Sequence, residues 1–218
     1  MFRRVLAALI LMLPMACTQA QQPAPAAPAV PREGIDYAVL QPAQPTYGQG
    51  KIEVAEVFSY RCIHCAHFQP LVNAWRKKLP ADVRYVYVPA VFGGTWDTFA
   101  RAYFAAETMG VQPRTHDNVF KAVFIDNKIT DGSLEQIANW YGTQGVDGKI
   151  FLSTMQSFAV NAKLNRAKQF ALRTGVTGTP TIIVAGKYRV MASSDRDLAY
   201  MLTTTDYLLA RERALGKR

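Results

Sequence analysis

Apolar positions alternate from residue 52 to 58, where Ile52, Val54 and Phe58 share one face with a single carboxylate, Glu56. A period of two predicts a strand over 51–58. Over residues 63–79 the apolar spacing lengthens to three and four, which predicts a helix. VRYVYVPAV (83–91) reads as a second strand, ended by Gly93-Gly94. Beyond Thr95 the pattern is helical, with segments near 96–109, 115–126, 133–141 and 147–157 and loops at Gly110, Gly132 and Gly142. A longer helix over 158–174 ends at Gly175. Two short strands, 181–184 and 188–191, flank Ala185-Gly186-Lys187 and predict a hairpin. Ser193-Ser194-Asp195 is the predicted cap of a final helix reaching about residue 211.

This order is β-α-β, a helical block, then α-β-β-α. Common loop lengths take a strand-helix-strand path into its second half in about 50 residues. Here Cys62 and Pro180 stand 118 apart. The surplus of roughly 70 residues matches the helical block. The chain therefore reads as an α/β domain, 37–94 and 158–218, interrupted by an all-helical insertion, 95–157.

Composition adds a compartment. Half of the 218 residues are hydrophobic, enough for a true core. The formal charge is +9, but no run of five basic residues exists, so the excess reads as a solvated surface and not a nucleic-acid site. Arg3 and Arg4 precede an apolar stretch, 5–15, too short to span a bilayer. Residues 1–20 thus read as an export signal. Two processing sites fit: cleavage after Ala20, or cleavage before Cys17 in Pro14-Met15-Ala16-Cys17, which would leave Cys17 lipidated. Pro, Ala and Gln dominate the segment that follows, and 21–36 is expected to be an extended tether. Either route leads out of the cytoplasm, most simply to a bacterial periplasm, with the protein free or tethered through Cys17.

The chemistry concentrates in Cys62-Ile63-His64-Cys65, at the predicted start of the first helix. Unpaired N–H groups and the positive end of the helix dipole favour a thiolate there. A free thiol of pKa about 8.5 is only about 3% ionised at pH 7, and the dipole contributes about 0.3–2 kcal/mol. A hydrogen bond from Cys65 or His64 would lower the first thiol further. Stabilising that thiolate stabilises the dithiol and makes the disulfide a stronger oxidant.

Other uses fit less well. Zinc needs four ligands, or three and a water, and only Cys17, His64, His67 and His116 could supplement the pair. Haem attachment needs CxxCH, but Ala66 follows Cys65. A purely structural disulfide across so small a loop stabilises little.

Two further features belong with the pair. Burial on its apolar face would raise the pKa of Glu56 and make it a proton carrier for Cys65. Gly178-Thr179-Pro180-Thr181 opens a strand in the second half. Pro180 there is a candidate cis proline, leaving the Thr179 backbone free to pair with an extended substrate.

Together these residues resemble the DsbA-type thiol:disulfide oxidoreductases of the thioredoxin superfamily, over about residues 50–212. The matching pieces are Glu56-Val57-Phe58-Ser59, Cys62-Ile63-His64-Cys65, Phe68, Pro70, Phe92-Gly93-Gly94 and 175–180. The resemblance implies a thioredoxin fold with an inserted helical domain and a redox-active Cys62–Cys65 disulfide. It makes Cys62 the exposed nucleophile and Cys65 its buried partner. It assigns thiolate stabilisation to His64, the buried acid to Glu56, and substrate contact to Ile63, Thr179 and Pro180. It implies no cofactor and no metal, a monomer, reduced secreted or periplasmic proteins as substrates, and reoxidation by a DsbB-like quinone-linked membrane oxidase. The alternatives are a disulfide isomerase or reductase, and a non-catalytic metal-binding CxxC module. Two departures stand out. Ile63 replaces the proline common in this motif, and Tyr87 takes the position of the lysine that pairs with the buried acid.

Overall fold

The computed structural model describes residues 30–216. The export signal, Cys17 and tether residues 21–29 lie outside the described residues. The order begins β1 (Tyr37–Val39), β2 (Ile52–Phe58), α1 (Ile63–Arg76) and β3 (Val83–Pro89). Then come α2 (Thr95–Thr108), α3 (Gln112–Phe124), α4 (Leu134–Thr143), α5 (Gly148–Met155) and α6 (Phe158–Arg173). β4 (Thr181–Val184), β5 (Tyr188–Val190) and α7 (Ala199–Leu215) complete it.

The five strands form one sheet in the order β1-β5-β4-β2-β3. β2 runs parallel to β3 and antiparallel to β4, so Glu56 lies between Tyr87 on one side and Ile182 on the other. Being central, β2 is buried on both faces, which is why its off-face positions are also the apolar Ala55 and Val57. Val54, Ile182 and Val184 pack with Phe68 and Val72 of α1 and with Leu208 and Leu209 of α7. Ala55, Val57 and Ile183 join a core with the interrupting helices and α6, including Phe104, Tyr141 and Phe170. Fully burying one such side chain stabilises by about 1.5–3 kcal/mol. The sheet is therefore held from both sides, and the N-terminus of α1 emerges from its most constrained strand.

Two expectations need correction. Residues 31–36 are docked and are not part of a free tether. Arg32 pairs with buried Asp36 at 3.0 Å and with Asp195 at 2.8 Å. The predicted cap of the last helix fails for the same reason. Asp195 is engaged by Arg32, and Ser193 donates to Asp36 Oδ1 at 3.1 Å. α7 begins only at Ala199, and its boundary residue Leu198 makes no side-chain cap.

Candidate active site

Strand β2 ends in a tight turn. The Cys62 N–H donates to the Ser59 carbonyl at 3.0 Å, and the Arg61 N–H donates to Ser59 Oγ at 3.1 Å. That turn makes Cys62 the N-cap of α1, with extended φ of −100° and ψ of 113°. Its Sγ accepts the Cys65 backbone N–H at 3.4 Å. No acidic residue occupies the first turn of α1 to oppose a negative charge there. Both cysteines are free thiols, Cys62 8% exposed and Cys65 fully buried.

These surroundings drive the two sulfurs apart. The Cys62 thiol is lowered to about 5, chiefly by the hydrogen bond from the Cys65 thiol, with the backbone amides of Cys65 and His64 acting against the cost of burial. Burial, the hydrogen bond with Cys62 and the nearby Glu56 raise the Cys65 thiol well above its ordinary value. The helix supplies His64's contribution through its amide, while the His64 side chain is exposed. Across the cleft, the Thr179–Pro180 peptide is cis, and the Thr179 carbonyl lies 3.3 Å from Cys62 Sγ. Ile63 is 39% exposed beside this face.

Glu56 is buried at 1% exposure, and desolvation pushes its carboxyl up to about 7 against the lowering effects of a Tyr85 hydrogen bond and the Arg76 charge. The Tyr85 hydroxyl donates to Glu56 Oε2. Tyr87, the residue opposite Glu56 in register, is held elsewhere. Its hydroxyl accepts from Gln69 Nε2 at 2.8 Å and from Arg76 Nη1 at 2.9 Å. The acid's partner is thus Tyr85 and not Tyr87, two residues further along β3. Sequence reasoning missed it, although Tyr85 and Tyr87 share the Glu56 face by alternation.

A second group, considered in the sequence only as a metal ligand, has a different place. His116 of α3 is buried, with Nδ1 2.7 Å from the Tyr60 hydroxyl and Nε2 3.3 Å from Gln69 Oε1. Burial, helped by the Arg76 charge, lowers its pKa to about 3, so the ring is neutral. It links the turn before Cys62 to the middle of α1 and is not brought to the cysteines as a metal ligand.

Comparison with known proteins agrees with this geometry. The model of the DSBA-like thioredoxin domain family matches residues 53–202. Thiol:disulfide interchange protein DsbA of Pseudomonas aeruginosa is 40% identical over 185 residues, covering 85% of this chain and 87% of that protein. The DsbA of Pseudomonas syringae is 42% identical, covering 84% and 86%. The crystal structure of oxidoreductase DsbA from Xylella fastidiosa superposes with a TM-score of 0.80 at 39% identity, over 85% of this chain and all of that one. This chain belongs to the DSBA-like thioredoxin-domain family.

Proposed function

We propose that the chain is a thiol:disulfide oxidoreductase that donates its Cys62–Cys65 disulfide to reduced proteins. The observation that carries this is the opposed acidity of the two sulfurs, Cys62 near 5 and Cys65 far above its ordinary value. A stabilised Cys62 thiolate favours the dithiol form and makes the disulfide oxidising. In the oxidised enzyme a substrate thiolate attacks Cys62 Sγ. The intramolecular S–S bond breaks, and its electron pair departs on Cys65, which takes up a proton. The second substrate thiol loses its proton to solvent, and the resulting thiolate attacks the substrate sulfur of the mixed disulfide. Cys62 then leaves as a thiolate. Two electrons pass to the enzyme, and of the two protons lost by the substrate one is retained on Cys65.

In this reading, Thr179 and Pro180 pair with the extended substrate, and Ile63 offers it an apolar contact. Glu56 supplies the Cys65 proton, and His64 supports the Cys62 thiolate. The substrates are secreted or periplasmic proteins, and a DsbB-like quinone-linked membrane oxidase restores the disulfide. No described helix is long and apolar enough to cross a membrane. Export would rest on residues 1–20, and the mass of the mature N-terminus distinguishes cleavage after Ala20 from a lipidated Cys17. The central test is Cys62→Ser, which should abolish oxidation of a reduced dithiol peptide. Undiminished oxidation would overturn the assignment.

A further inference from the structure

Glu56 must exchange its proton with something, and its surroundings offer few ways out. On its face of the sheet it meets Cys62, Cys65 and Arg76 of α1 and Tyr85 and Tyr87 of β3, while β4 presents the non-titrating Ile182. In a mixed disulfide the substrate would cover Cys62 and the Thr179–Pro180 segment, closing the cysteine side when Cys65 needs its proton. The other side is open. Tyr85, Tyr87 and Arg76 line a cavity of about 390 Å³ together with His116 and Asp117 of α3. Its lining includes the exposed Arg76, Glu107, Pro113 and Asp117, so it opens toward solvent. Arg76 ends α1, whereas Cys62 caps its beginning, so the Arg76 side of the cavity lies at the other end of the helix from the sulfur a substrate would engage.

Tyr85 bridges the two environments. Its hydroxyl donates to Glu56 Oε2, and the same residue lines the cavity. Trp75 and Tyr87 hold its ring edge-on at centroid distances of 6.0 and 5.1 Å. The Arg76 guanidinium lies over both tyrosines, 4.9 Å from the Tyr85 centroid and 5.1 Å from that of Tyr87. Burial keeps the Tyr85 phenol protonated, which makes it a standing donor.

We propose that Tyr85 is the positioning residue through which Glu56 exchanges protons with water in the cavity between α1, β3 and α3, and that Arg76 orients this relay. When Glu56 gives its proton to Cys65, the Tyr85 O–H passes its own to the carboxylate, and the Tyr85 oxygen takes one from cavity water. Tyr85 is unchanged at the end of the cycle, and one solvent proton resides on the enzyme. The step rests on the disulfide-donor reading, but the route itself can be tested without turnover.

The test uses Tyr85→Phe, which keeps the ring and its packing. After a pH jump across 7, the Glu56 carbonyl band in the infrared should equilibrate roughly a hundredfold more slowly in the variant than in wild type. Oxidation of a dithiol peptide at pH 7 should fall by a similar factor, roughly a hundredfold, and Tyr85→Phe should cost nothing further in a Glu56→Gln background. An unchanged infrared relaxation overturns the route, as does an equal loss of rate with and without Glu56. If wild type fails to oxidise the peptide, the disulfide-donor reading falls, while the infrared measurement still decides the route.

Discussion

The backbone N–H of Cys65 points at Cys62 Sγ from 3.4 Å, so the helix that buries one sulfur stabilises negative charge on the other. Titration should divide the pair accordingly. Alkylation of Cys62 in the reduced protein should be half-maximal near pH 5, with Cys65 unreactive through pH 8. The same depression carries a stability consequence. A thiol lowered on folding contributes fully above its ordinary pKa, and that contribution is lost as pH falls through the folded value. The unfolding free energy of reduced wild type, less that of Cys62→Ala, should therefore grow from about pH 5 to about pH 9. A flat difference across that window contradicts the assigned environment of Cys62.

Glu56 works in the opposite sense. Its folded pKa, about 7, lies above the ordinary carboxylate value of 4.5, so ionisation weakens the fold as pH rises through 7. Glu56→Gln keeps an oxygen for Tyr85 and removes the charge. Urea unfolding should show this variant more stable than wild type at pH 8, by up to about 3 kcal/mol, with the gain gone below about pH 4.5. Equal stability at pH 8 would mean that the carboxylate is not desolvated in solution.

The capping of α6 gives a simpler expectation. Ser157 Oγ accepts the Val160 N–H at 3.3 Å and opens a helix that buries Val160, Leu164 and Phe170. Ser157→Ala should destabilise the protein by about 1 kcal/mol at any pH. Loss of less than a few tenths would show that water replaces the cap.

The sequence carried the parts of the site that are local. Cys62 and Cys65 lie within one turn, and the flanking β2 and α1 have strong periodicities of two and of three to four. Glu56 was visible because a carboxylate broke an apolar face. What stayed hidden depends on docking. Strand β1 has only three residues and is defined by pairing with β5, some 150 residues away in the chain. The partner of Glu56 depended on reach across β3: the resemblance drew attention to Tyr87, which is also opposite Glu56 in register, whereas the hydroxyl that arrives is that of Tyr85. His64 was legible as a neighbour of the thiolate, but that its backbone amide faces Cys62 Sγ follows only from the turn that makes Cys62 the helix cap. His116 meets Tyr60 across 56 residues of sequence and only because α3 packs on α1.

His116 also provides the sharpest acid-side prediction. Its ring is buried among Phe58, Tyr60, Tyr87 and Phe120, and its pKa of about 3 lies far below the ordinary 6.5. Unfolding lets the imidazole take up a proton, so its contribution is intact above pH 6.5 and is lost as pH falls toward 3. His116→Gln loses ring packing and at least one of the hydrogen bonds to Tyr60 and Gln69. At pH 7 that should cost about 1–3 kcal/mol. Glutamine does not titrate, so the gap to wild type should narrow below pH 6.5 and close by about pH 4. Denaturant unfolding of both proteins at pH 7, 5.5 and 4 measures it, because groups common to the two cancel in the difference. A gap that stays constant over that range would show that His116 is already hydrated in the folded protein, and that α3 is not sealed against the turn leading into Cys62.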